Sequence, residues 1–286
     1  MSRQLLQELF SDGPCFISNT YGIQGVPARH VFMTGAINVM SGLTNESLRL
    51  LEIGSWTGSS ALTWAQAIDH FCPAKGEVVC LDSWDTFITE EDLTRGDIYQ
   101  HMHTLSSTGI SYDLFLHNMQ FARDSIPVRH FRGKSCDIMP YLGDSLFDIV
   151  YIDGSHYYDD VLFDIHQSIR VLKEGGILCG DDLELQMSEC DQDFAVSQRR
   201  IDYVDDPKTG KYFHPGVTTA VHEVLGTVSN YAGFWLMQKT AEGFKMVSLN
   251  GRNMLLPDHF PEIIKKSIMQ QFSINRENRT GPIQAN

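Results

Sequence analysis

The sequence predicts an α/β fold with a mostly parallel sheet that is covered by helices on both faces. Short apolar segments recur without polar alternation, and segments with a helical pattern separate them. Strands buried on both faces of a parallel sheet have this composition, whereas half-exposed strands alternate. Near the C-terminus, the apolar segments 234–240 and 244–249 flank Ala-Glu-Gly, which predicts an antiparallel hairpin.

The elements follow one another along the chain with clear turn signals between them. Strands are predicted at 48–53, 77–84, 128–133, 147–153 and 177–182, and helices at 61–71, 112–122 and 157–173. Residues 183–216 are polar and acidic without a clean period, and a loop of this length is usually a functional lid. We expect a helical N-terminal cap at 1–44, a main domain at 45–255 that includes this lid, and a C-terminal helix and tail at 256–286.

Composition limits the classes of function. The chain of 286 residues has a formal net charge of −14, which disfavours the phosphate backbone of nucleic acids as a partner. We found no apolar run of the length needed to span a membrane and no signal peptide. The six cysteines form no C-x-x-C pair, so we expect a reduced, cytoplasmic protein without a membrane or nucleic-acid partner.

A glycine loop follows the first strand. Glu52, Gly54 and Gly58 stand between this strand and a helix, where glycine permits a tight turn and close approach of backbone to a ligand. Trp56 occupies the place of the middle glycine in dinucleotide-binding loops, which argues against a pyrophosphate ligand. Asp82 ends the next strand, where a carboxylate can bind ribose hydroxyls. From the residues alone, a structural role for the loop and a turn or capping role for Asp82 stay open.

Acidic residues also end the last two parallel strands. Asp153 follows the strand 147–153, and Asp181 and Asp182 follow the strand 177–182. Because parallel strands end at one edge of a sheet, the three carboxylates should meet there, and a divalent cation such as magnesium would offset their repulsion. His156 lies three residues after Asp153 and is suited to accept a proton. The alternative is that these residues only cap helices.

The motifs LLEIGSWTGSS, CLDSWD, RGKS, FDIVYIDGSH and GGILCGDD together resemble the class I S-adenosylmethionine-dependent methyltransferases over about residues 45–250. The resemblance implies a Rossmann-like, seven-stranded sheet. It also implies that Glu52, Gly54 and Gly58 face the methionine part of the cofactor, that Asp82 holds the ribose, and that Ser135 lies near the adenine. The full set of expected cofactor residues is Glu52, Gly54, Ser55, Gly58, Asp82, Ser83, Ser135 and Asp153.

The DGSH motif and the acid pair that follows it resemble the metal-dependent O-methyltransferases of macrolide and sugar tailoring (mycinamicin and macrocin type) and a methyltransferase-like protein of the cephamycin pathway. This resemblance implies magnesium ligands at Asp153, Asp181 and Asp182, a general base at His156, a small-molecule acceptor from natural-product biosynthesis, and a homo-oligomer. Two alternatives stay open, an N-methyltransferase and a non-catalytic partner protein. His214 is expected to have a structural or lid role, and Glu184 is a candidate for a further ligand.

Overall fold

The computed structural model describes residues 12–16 and 25–272. The α-helices of this part are α1 (Pro27–Ser41), α2 (Ser59–Phe71), α3 (Asp97–Ser107), α4 (Ile110–Asn118), α5 (Ser135–Ile138), α6 (Tyr158–Val171), α7 (Gln192–Gln198), α8 (Pro215–Leu225) and α9 (Glu262–Gln271). Its strands are β1 (Leu48–Ile53), β2 (Gly76–Asp82), β3 (Val128–Arg132), β4 (Phe147–Ile152), β5 (Leu172–Gly180), β6 (Val204–Asp205), β7 (Tyr212–Phe213), β8 (Ser229–Tyr231), β9 (Phe234–Thr240) and β10 (Gly243–Met246). Short 3-10 helices span Asp92–Thr94, Met119–Phe121 and Met139–Tyr141.

The chain forms two compact units. Among the described residues, the first consists of residues 12–16, 25–47, 55–133 and 249–272, and the second of residues 48–54 and 134–248. The chain passes from the second unit to the first directly after Gly54, inside the predicted glycine loop.

The second unit contains a sheet that is parallel on one side and antiparallel on the other. β1 pairs parallel with β4, and β4 pairs parallel with β5. β9 pairs antiparallel with β5, β8 and β10. All six residues of β4 are buried, which explains why its sequence shows no polar alternation. The mainly parallel α/β fold and the hairpin of β9 and β10 are confirmed.

Helix α6 connects β4 to β5. Its apolar side chains at Val161, Ile165 and Val171 are buried, as the spacing of an amphipathic helix predicts. The helix ends two residues earlier than the sequence suggested, because Leu172 already pairs with Phe147 at the start of β5. The turn glycines that follow therefore lie within the strand and not at the end of the helix.

The first unit pairs β2 with β3 in parallel and packs α1 against α2. Nearly all of α1 is buried, which fits its largely apolar sequence. The helix expected at 112–122 is confirmed as α4 followed by a 3-10 turn. The expected cap and tail lie partly outside the described residues, since residues 1–11, 17–24 and 273–286 are not among them.

The segment 183–216 contains more regular structure than its sequence pattern suggested. It holds α7 and the antiparallel pair of β6 and β7. It also has a small hydrophobic core of its own, formed by Leu185, Met187, Cys190, Ala195 and Phe213. These apolar residues are spaced irregularly along the chain, so no single period reveals them. That the segment moves as a lid stays a prediction.

Candidate active site

The loop after β1 is held by Asp82 in the first unit. The N–H of Trp56 donates to Asp82 Oδ2 (2.8 Å), and the N–H of Trp84 donates to Oδ1 (2.6 Å). The Trp84 indole in turn donates to the carbonyl of Trp56 (2.6 Å). Burial raises the pKa of Asp82, and the backbone N–H groups of Trp84, Trp56 and Ser55 oppose that shift. Asp82 thus stabilises the conformation of the loop, in agreement with the turn role that was one of the two alternatives from the sequence. Its carboxylate oxygens can still accept further hydrogen bonds from a ligand.

Two polar atoms of this loop are buried without a hydrogen-bond partner among the described residues. They are the Ser55 hydroxyl and the indole nitrogen of Trp56. Buried polar atoms without partners are uncommon and often mark the place of a ligand or an ordered water. Gly58 directly precedes α2 with φ +87°, and a Cβ there would collide with the side chain of Met119. The loop therefore fits a polar cofactor, with Ser83 half-buried directly after Asp82.

The second unit carries the other predicted cofactor residues. Glu52 is fully buried in β1, opposite Tyr151 of β4. Gly54 has φ +89°, and its Cα faces the carbonyl group of Asp153 so closely that only glycine fits. The N–H of Asp153 donates to the carbonyl of Ile53 (2.8 Å), which continues the pairing of β1 and β4 beyond their ends. These contacts fix the backbone at the start of the DGSH motif.

Ser135 begins α5 and contacts a buried acid of α6. Its side chain hydrogen-bonds Asp164, which is 2% exposed. Burial raises the pKa of Asp164 to about 7, and the hydrogen bond from Ser135 opposes that shift. One carboxylate oxygen of Asp164 has no hydrogen-bond partner among the described residues. The structure therefore places Ser135 in a polar setting, although nothing in its geometry identifies adenine as the ligand.

Three of the four residues predicted for the metal and the base lie together. Ligand atoms of Asp153, His156 and Asp182 are all within 4.8 Å of one another. Tyr151 donates its hydroxyl to Asp153 Oδ2 (3.1 Å). Burial raises the pKa of Asp153 well above its usual range, and the charges of Asp181 and Asp182 raise it further. A divalent cation would relieve this repulsion, so the donor set fits one.

Asp181 is placed differently from its neighbour. Its side chain is close enough for its charge to raise the pKa of Asp153 and of Tyr151. In the part of the chain that the structure describes, however, its carboxylate is not in a group of ligand atoms within 4.8 Å. Asp182 has φ +61°, an uncommon backbone angle for a residue with a side chain. Of the acid pair, Asp182 is therefore the one that the structure brings to His156.

His156 is held between two carboxylates. Its Nε2 lies 2.9 Å from Asp182 Oδ2, and its Nδ1 lies 2.7 Å from Asp202 Oδ1. Burial lowers the pKa of His156, but the two carboxylates outweigh it and the pKa is raised well above its usual value. Asp202 lies in the segment 183–216, 46 residues from His156. No pattern in the sequence singles out Asp202, because the contact depends on how that segment folds back.

His214 and Glu184 also belong to this cluster. His214 Nδ1 lies 2.9 Å from Glu184 Oε2 and 4.0 Å from Asp182 Oδ1. The rings of His156 and His214 are 4.4 Å apart between centroids. His214, for which we predicted a structural or lid role, has its side chain next to Glu184 and Asp182. The start of α8 can approach this closely because Gly216 has no side chain, and a Cβ there would lie 2.7 Å from the backbone nitrogen of Tyr158.

Comparison with known proteins shows a similarity to methyltransferases. Residues 51–183 match a protein family described as a methyltransferase domain. No protein of curated function is significantly similar in sequence. Similar solved structures include the O-methyltransferase TomG of Streptomyces achromogenes, involved in tomaymycin synthesis, with 18% identity over 73% of this chain and 80% of that chain and a TM-score of 0.39. An O-methyltransferase of Bacillus cereus has 14% identity over 78% and 79% of the two chains and a TM-score of 0.41.

A third similar structure is CalS11, a TDP-rhamnose 3'-O-methyltransferase of calicheamicin biosynthesis. It has 16% identity over 82% of this chain and 92% of that chain and a TM-score of 0.42. Structural similarities this weak carry no argument, so the assignment rests on the family match and on the motifs within it. The matched segment contains the glycine loop, Asp82, the DGSH motif and the acid pair. Over residues 51–183 the protein is therefore similar to a methyltransferase domain.

Proposed function

We propose that the protein transfers a methyl group from S-adenosylmethionine to a hydroxyl oxygen of a small molecule with two neighbouring oxygens, such as a sugar or a catechol. One observation carries this proposal. Asp153, Asp182 and His156 place two carboxylates and an imidazole within 4.8 Å of one another. Carboxylates can hold a hard cation such as magnesium, and the imidazole can accept a proton beside it.

The ribose of the cofactor would be held at Asp82. Asp153 and Asp182 would hold the cation, and Asp181 would add negative charge nearby. Bound S-adenosylmethionine supplies an electrophilic methyl group, and a bound divalent cation supplies positive charge that makes a neighbouring hydroxyl more acidic. Two adjacent oxygens of an acceptor suit such a cation, which is why we favour a vicinal diol or a catechol.

His156 would remove the proton from the acceptor hydroxyl at its Nε2 atom. Asp202 lies 2.7 Å from Nδ1 and is 6% exposed, so it fixes the orientation of the ring. A carboxylate at Nδ1 keeps the hydrogen on that nitrogen. The raised pKa of His156 means that Nε2 also carries a hydrogen while it faces the charged Asp182, so Nε2 would become the acceptor once a cation neutralises that carboxylate. Nε2 faces Asp182, so the proton would be taken next to the carboxylate that holds the cation.

The proposal is tested by release of S-adenosylhomocysteine from the full-length protein with a panel of acceptors. The panel contains a catechol, a free hexose, a nucleotide-linked hexose, and a matched set in which one of the two oxygens is absent. We expect turnover only with two adjacent oxygens, its loss in EDTA, and its return with Mg²⁺. Transfer to an amine at an unchanged rate in EDTA would instead support an N-methyltransferase and contradict the proposal.

A further inference from the structure

A second group of ligand atoms lies beside the proposed cation position. It consists of Asp182, Glu184 and His214, which we call the Glu184–His214 cluster, and its ligand atoms lie within 4.8 Å of one another. The three side chains are partly buried, with exposed fractions of 17%, 26% and 17%. Glu184 and His214 lie outside the segment that matches the methyltransferase family. Two of the three members of the cluster therefore lie outside the matched segment, and Asp182 lies inside it.

Asp182 is shared between the two groups and faces both imidazoles. Its Oδ2 lies 2.9 Å from Nε2 of His156, whereas its Oδ1 lies 4.0 Å from Nδ1 of His214. A carboxylate whose two oxygens face different nitrogen atoms can serve two positions at once. Such sharing is typical of sites in which two cations lie a few ångströms apart.

The geometry points to a second cation site, formed by Asp182, Glu184 and His214. Its donor set is one imidazole nitrogen and two carboxylates, in contrast to the oxygen ligands proposed for the first position. Imidazole is a good ligand for Zn²⁺, Mn²⁺ or Fe²⁺, whereas magnesium prefers oxygen. The second site should therefore bind a transition metal more tightly than Mg²⁺. The proposal does not depend on the proposed methyl acceptor.

The competing explanation is a structural ion pair. His214 precedes the first residue of α8, and its 2.9 Å contact with Glu184 could simply anchor the start of that helix. An ion pair needs a protonated imidazole, whereas a metal site needs a neutral one and releases the proton on binding. The two explanations therefore differ in metal stoichiometry and not in the fold.

The test is equilibrium dialysis of the full-length protein against Zn²⁺, followed by elemental analysis. We expect the wild type to hold one equivalent more than His214→Ala and than Glu184→Gln. Outer ligands alone are worth about 10–100-fold in metal affinity, so loss of a direct ligand should weaken this site by at least about 100-fold. Glu184→Gln keeps the size of the side chain, which protects the comparison if His214→Ala is unstable.

His222→Ala is the matched control, because His222 lies on the same helix and is exposed. It should hold as much Zn²⁺ as the wild type. Asp153→Asn separates this site from the first position, since it should remove the first cation and leave the second. Equal Zn²⁺ content in the wild type, His214→Ala and Glu184→Gln would overturn the inference, and His214 would then be the ion-pair partner of Glu184 only.

Discussion

Gly54→Ala should destabilise the protein far more than an ordinary glycine substitution. Gly54 has φ +89°, and a residue with a side chain in this region costs about 1–2 kcal/mol. The added methyl group would also meet the carbonyl of Asp153 and lie 2.7 Å from the Cα of Gly154. These atoms are backbone, so no side chain can rotate away, and overpacking adds about 1–3 kcal/mol or more. We expect a loss of about 3–5 kcal/mol in the free energy of unfolding, measured by urea denaturation.

Gly175→Ala provides the control for this prediction. Gly175 has φ +79°, nearly the same backbone angle, but a Cβ placed there meets nothing within 4 Å. This variant should therefore lose only about 1–2 kcal/mol, the cost of the backbone angle alone. The difference between the two variants isolates the close approach of Gly54 to Asp153. If both variants lost the same free energy within error, the packing of the glycine loop against the DGSH motif would be wrong.

The remaining predictions concern His156 and three acidic residues. Asp82→Ala should weaken binding of S-adenosylmethionine by about 10–100-fold in calorimetry, because it removes charge-assisted hydrogen bonds of about 1.5–3 kcal/mol. The Asp85→Ala variant, changed at an exposed neighbouring residue, should bind S-adenosylmethionine as tightly as the wild type. If Asp82→Ala also bound it as tightly as the wild type, Asp82 would not be part of the cofactor site. Asp202→Asn should lower kcat about 10–100-fold with little change in KM, and His156→Ala should lower it about 10²–10⁴-fold. If Asp202→Asn had the kcat of the wild type, the contact between Asp202 and His156 would not contribute to catalysis. The pKa of Asp164 is about 7 in the folded protein, above its unfolded value, so its share of stability is present at low pH and is lost as the pH rises from about 4 to about 7. Asp164→Asn should therefore show a smaller fall in the free energy of unfolding between pH 4.5 and pH 7.5 than the wild type, and an equal fall would contradict the raised pKa.

The local pattern of the sequence was sufficient for β1 and β4, although β5 begins five residues before its predicted start. β1 and β4 lie within a residue of the predicted bounds. A strand that is buried on both faces of a parallel sheet has a largely apolar sequence, so its extent can be read from the sequence. The meeting of Asp153 and Asp182 was also predictable, since parallel strands that pair end at the same edge. Their positions follow from the sheet alone and need no knowledge of the loops.

The sequence could not distinguish Asp181 from Asp182, because both follow the same strand. The left-handed backbone of Asp182, at φ +61°, decides which carboxylate reaches His156, and that angle is imposed by the surrounding fold. The sequence therefore predicted that acids end this strand, but it could not predict which of the two carboxylates lies next to His156.

The surroundings of His156 were decided by tertiary structure. Asp202 and His214 reach the DGSH motif from a segment 46 or more residues away, which has its own small core. No local pattern encodes such a contact, because it depends on where a separately packed segment rests and on the absence of a side chain at Gly216. The sequence by itself thus determined the parallel strands of the sheet, the glycine loop and the chemical types at the strand ends. Only the packing of distant segments decided which carboxylates flank the histidine, since side-chain contacts between remote residues follow from the folded chain as a whole.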